Sequence, residues 1–205
     1  MVEIEEADRE ATIAAARLRL RFSWNGDRWA HALEVGPEPG GSLLARSVDI
    51  PAERIDSKRV VSPAFQQLQL QRGAFGAQAL LVGQSGPHHF SAVFHVRQWE
   101  ASVLVEVDIA DRCRAEIAGL ASTYRVEVPA ADWIEADPSR LIWRPGGSPQ
   151  PLEFSAWGPP AHRARITCAE AGRGAWHVQA EAPLDPRAST HRWSYRWCWG
   201  LPAPL

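Results

Sequence analysis

Gly83-Gln84-Ser85-Gly86-Pro87-His88-His89 sets a serine beside two histidines, the residue types of a nucleophile and its general base. The spacing does not match the G-x-S-x-G elbow, which needs a strand running into a helix. Alternating apolar runs flank the stretch on both sides, so a hairpin turn is expected there. His88, His89 and His95 also offer imidazoles to a metal. On an extended strand, however, His88 and His89 point to opposite faces, and His89 and His95 lie about 20 Å apart. A zinc ion holds its nitrogens at about 2.0–2.1 Å. No metal and no other cofactor is therefore expected.

Carboxylates supply the other candidates. Asp108 and Asp111, beside Arg112 and Arg114, end a strand. An aspartate there orients a loop, holds an arginine, or acts as a general base; the structural roles are favoured. Asp132, Glu135 and Asp137 surround Trp133. A glycosidase needs two acids a few ångströms apart, but this cluster suits an exposed short helix or turn. Dinucleotide fingerprints, phosphate-binding loops, HExxH and EF-hand patterns are absent from the sequence.

Composition narrows the classes. The 205 residues carry a formal charge of −2, with no stripe of Lys or Arg, so nucleic acid is not an expected partner. Cys113, Cys168 and Cys198 are far apart and odd in number, which disfavours a disulfide framework or a thiolate zinc site. The opening MVEIEEADRE is acidic and has no apolar segment of a secretory signal. No apolar run approaches bilayer length, so no membrane association is expected and the cytoplasm is the default location. Ten tryptophans stand out. They suit a core of large rings, or a surface on which sugars stack.

The elements that must position these residues are strands. RLRLRFSW and DRWAHALEV flank Asn25-Gly26, the signature of a two-residue hairpin turn. That register sets Leu18 opposite Leu33, Leu20 opposite His31, Phe22 opposite Trp29 and Arg17 opposite Glu34. His31, among these apolar residues, reads as a satisfied semi-buried histidine. Further strands are expected near 43–50, 65–71, 77–83, 88–96, 101–109, 122–128, 140–144, 152–157, 162–169, 174–182 and 190–199. In the last, HRWSYRWCWG, Trp193, Tyr195, Trp197 and Trp199 share one face, with Arg192 and Arg196 on the other. Such rings bury on the order of 150–250 Å² each, so they belong in a core.

About eleven or twelve short strands with Gly and Pro punctuation define an all-β chain: one antiparallel β-sandwich over 1–205, with a barrel as the alternative. Residues 1–15 are expected as a short helix (over 3–16) or a flexible arm, and 111–121 as one helical turn.

Parity then selects a polar sheet face. His89, Ser91, Asp108, Arg125 and Arg196 each point away from an apolar row on their own strand, and together form the expected ligand site. The function that follows is recognition of a carbohydrate or similar small polar ligand. Two alternatives stay open: a hydrolase or isomerase acting on a sugar or ester through His and Asp, and a structural protein that associates through exposed tryptophans.

Overall fold

The computed structural model describes residues 2–36, 41–49, 56–127, 132–145, 148, 150–172 and 174–200. In chain order the strands are β1 (Val2–Ala7), β2 (Glu10–Ala15), β3 (Leu18–Trp24), β4 (Trp29–Val35), β5 (Ser42–Ser47) and β6 (Arg59–Val60). There follow β7 (Gln67–Gly73), β8 (Gly76–Ser85), β9 (His88–Trp99), β10 (Ser102–Arg112) and β11 (Gly119–Glu127). The last are β12 (Trp133–Asp137), β13 (Arg140–Trp143), β14 (Leu152–Ala156), β15 (Arg165–Gly172), β16 (Ala175–Glu181) and β17 (Thr190–Trp199).

They form two sheets. The first has nine strands in the order β1-β2-β3-β4-β5-β11-β16-β15, with β6 added beside β11. The second has eight, in the order β12-β13-β14-β17-β10-β9-β8-β7. Neither closes on itself, so the architecture is an open sandwich and not a barrel. No helix among the described residues is long and apolar enough to cross a membrane.

The ring row of β17 lies between the sheets. Trp193, Tyr195 and Trp197 are at most 1% exposed and Trp199 is 5% exposed. Val105, Val107 and Phe154 flank them on the two neighbouring strands, and Phe90 and Phe94 continue the same inner face one strand further on. Leu20, Phe22, Leu33 and Tyr124 close the core from the first sheet. Of the ten tryptophans, Trp99 alone is exposed, so the tryptophan excess mainly builds the core.

Three expectations of secondary structure fail. Residues 2–15 are neither helix nor arm; they form the β1–β2 hairpin, with Ile4 opposite Ile13. Ala11, Ile13 and Ala15 are buried at a spacing of two, and β2 pairs fully with β3. Tertiary burial of that face overrides the helix propensity of the alanines. The glutamates of β1 remain on an edge strand, where charge blocks further pairing.

Residues 111–121 likewise contain no helix, because β10 continues to Arg112 and β11 begins at Gly119. The acidic cluster around Trp133 is an edge strand, β12, and not a helix or turn. There Glu135 takes two hydrogen bonds from Arg140 Nη2, at 2.7 and 2.6 Å, across the β12–β13 hairpin.

The β3–β4 hairpin forms with its register moved by two residues. Leu18 faces Val35, Leu20 faces Leu33 and Phe22 faces His31. The turn sits one residue later than expected, at Gly26-Asp27, because the Asn25 amide donates to the Arg28 carbonyl at 2.7 Å and so pairs those two residues; Gly26 takes the positive φ, +77°. The Arg28 guanidinium folds back onto Asp27 at 2.9 and 2.6 Å. A shift of two preserves parity, so the inner face keeps its composition.

Candidate functional site

The outer face of the second sheet carries the polar partners of the ring row. Arg192, Ser194 and Arg196 alternate with the rings along β17 and so point away from the core. Register sets Ser194 opposite Asp108 of β10, and Arg196 between Glu106 of β10 and Ser155 of β14. Ser194 Oγ donates to Asp108 Oδ1. Arg196 donates through Nε to Ser155 Oγ at 3.1 Å and through Nη2 to Glu153 Oε1 at 3.2 Å. Ser155 in turn donates to Glu153 Oε1 at 2.6 Å. Glu106, also buried, accepts from Arg97 and lies 3.7 Å from His95 Nδ1. Burying Glu106 and Glu153 is tolerated because each has a guanidinium against it.

A strap crosses this face. After β14 the chain runs through Trp157-Gly158-Pro159 into a single 3-10 turn at Pro160–His162. It is tied down at Ser194, whose carbonyl accepts from the amides of Trp157 at 3.4 Å and Ala164 at 3.1 Å. Gly158 has φ +87°, and a Cβ there would come within 3.1 Å of the Ser194 Cβ. Glycine is therefore required twice over, by conformation and by close approach.

The strap divides the face into two hollows with Trp157 bordering both. One, of about 720 Å³, is lined among others by Ser91, Asp108, Trp157, His162 and Arg192. The other, of about 650 Å³, is lined among others by Arg140, Glu153, Ser155, Trp157 and Arg196.

The five residues selected by parity are therefore dispersed. Ser91 and Asp108 share the first hollow, while Arg196 lines the second. His89 is exposed two positions along β9 from Ser91, opposite Arg112, and borders neither hollow. Arg125 lies on β11 in the other sheet. Trp157 and His162 were missed. Their only signal is Trp157-Gly158-Pro159-Pro160, a turn-forming run directly after an aromatic residue.

His88, Asp111 and Cys113 bring their ligand-capable atoms within 4.8 Å of one another at the buried end of β9 and β10. His88 Nδ1 donates to Asp111 Oδ2 at 2.8 Å, and Nε2 donates to the Ser57 carbonyl at 2.7 Å. Both ring nitrogens face acceptors, so the ring carries both protons and offers no lone pair. Burial opposes this charge, but the Asp111 carboxylate and the Ser57 carbonyl outweigh it and raise the His88 pKa above its ordinary value. The trio thus holds a buried ion pair. A metal would enter only by displacing a ring proton.

The Ser85–His88 stretch is the tight turn its flanks imply, with Ser85 and His88 paired across Gly86-Pro87. His88 faces inward to Asp111 and is fully buried, so no serine–histidine pair is presented to solvent there.

What the fold and these sites define is an open two-sheet antiparallel sandwich with hollows on its outer faces that combine apolar walls and a few polar groups. Compared with models of known protein families and with curated proteins, the chain matches none.

Proposed function

We propose that this protein binds a carbohydrate, or a polar ligand of similar shape, in the hollow beside Trp157 on the outer face of the second sheet. The observation that carries this reading is the meeting of Trp157, Asp108 and Arg192 around one space of about 720 Å³. A sugar ring has an apolar face and a hydroxyl edge. An indole suits the first, while a carboxylate and a guanidinium suit the second. Asp108 is exposed and uses Oδ1 for Ser194, which fixes its direction and leaves Oδ2 for a ligand. The three free cysteines fit a reducing compartment, and we place the protein in the cytoplasm on that basis.

The test is calorimetric titration with a panel of neutral oligosaccharides, using the wild type, Trp157→Ala and Asp108→Asn. Saturable binding that both variants weaken at least tenfold supports the reading. No saturable binding by any member of the panel rejects it. His162 stands in the same hollow as Asp108, giving an acid and an imidazole in one place. Release of shortened or isomerised sugar during the titration would therefore favour an enzyme.

A further inference from the structure

Arg125, set apart from the other parity-selected residues, belongs to a second polar row. Register partners across the first sheet run Thr12, Arg21, Ala32, Arg46, Arg125 and His177. Each is directly opposite the next, so all six share the outer face. Neighbouring strands lie about 4.8 Å apart. Arg46 and Arg125 are therefore adjacent like charges, with the His177 imidazole one strand further on.

Like charges directly opposite each other destabilise a sheet. Of the nearby carboxylates, only Glu127 comes within ion-pair distance of either arginine, at Arg125. Glu34 is taken by Arg21 at 2.9 Å. Glu127 approaches Arg125 Nε only to 3.6 Å, beyond hydrogen-bond reach, and that buried nitrogen has no hydrogen-bond partner. Asp49 is held by Asn25 and Ser47. Among the described residues no carboxylate oxygen lies within 4.0 Å of Arg46.

The row also has space above it. Arg21, Arg46, Arg125 and His177 line one hollow of about 570 Å³, with one carboxylate, Asp49, at its border. We infer that this hollow is a binding site for a small oxyanion, held between the Arg46 and Arg125 guanidiniums with His177 beside them. Paired guanidiniums match the oxygen geometry of phosphate and carboxylate groups alike. This site is independent of the sugar reading, since it lies on the opposite sheet.

The experiment measures thermal midpoints and calorimetric binding with inorganic phosphate, and separately with malonate, each against sodium chloride of equal ionic strength. At least one of the two anions is expected to raise the midpoint saturably; phosphate alone or malonate alone identifies the oxyanion class. Arg46→Gln and Arg125→Gln are each expected to weaken that binding at least tenfold, while Arg112→Gln, an exposed arginine on the other sheet, leaves it unchanged. Arg46 is exposed, so its variant carries the test if Arg125→Gln does not fold. The proposal is overturned if neither anion acts beyond chloride, if Arg46→Gln keeps the full response, or if Arg112→Gln abolishes it.

Discussion

The hydroxyl of Tyr124 lies 2.7 Å from the hydroxyl of Tyr195, joining the two sheets by a hydrogen bond inside the core. His31 Nε2 reaches the same Tyr124 oxygen at 2.9 Å, which extends the link to β4. Tyr124 is thus the shared member. Tyr124→Phe removes a hydrogen-bond partner from both His31 and Tyr195 and is expected to cost about 1–3 kcal/mol. Tyr195→Phe leaves Tyr124 bonded to His31 and costs less, about 1 kcal/mol. Urea unfolding of both variants checks the order.

His31 gives the protein an acid sensitivity. Its ring packs against Phe22, Phe94 and Tyr124. Burial holds its pKa down at about 3, against 6.5 in the unfolded chain. As pH falls below 6.5 the unfolded state takes a proton that the folded state refuses. Stability is therefore lost at about 1.4 kcal/mol per pH unit from 6.5 toward 3. From this residue alone, wild type should lose about 2 kcal/mol between pH 6.5 and 5. Urea midpoints at the two pH values measure it; in His31→Phe this part of the slope should vanish.

The His88–Asp111 pair has the opposite sign. A raised folded pKa contributes stability that is complete below pH 6.5 and fades as pH rises through the folded value. Both side chains are fully buried. Asp111→Asn removes the carboxylate that keeps the second proton on the His88 ring and breaks a buried pair, which is expected to cost about 3–5 kcal/mol. Denaturant unfolding at pH 6 checks that cost, and a shallower alkaline slope in the variant checks the sign.

Trp197 and Trp157 should separate packing from recognition. Trp197→Ala empties a fully packed position and is expected to cost about 3–5 kcal/mol. Trp157→Ala removes a half-buried ring from the strap. It is expected to cost less than half as much while abolishing sugar binding. Thermal unfolding and titration of the two variants supply both readouts.

Parity along single strands was legible because it needs only the side-chain period. The inward rings of β17 and the outward Arg192, Ser194 and Arg196 follow from it directly. Neighbourhood was not legible, since no local pattern says which sheet a strand joins. Arg125 and Arg196 obey the same parity rule on strands of different sheets. The Trp157 strap was hidden for a related reason: its anchor is Ser194, some 37 residues away. Asp111 was read as a strand-end residue because its partner, His88, meets it only through the β9–β10 pairing. In the N-terminal segment, alanine propensity outweighed a spacing-of-two pattern that only burial against the core makes visible.

The position of β17 between β14 and β10 governs how a ribosome can deliver this fold. Strands β7 to β10 and β12 to β14 leave the exit tunnel first, as two separate pieces of the second sheet. Until β17 emerges, β10 and β14 each present an unpaired edge, and Val105 and Phe154 lack their ring neighbours. Emergence of residues 190–199 is the event that seals both edges, so a chain held short of that point exposes two sheet edges open to wrong partners.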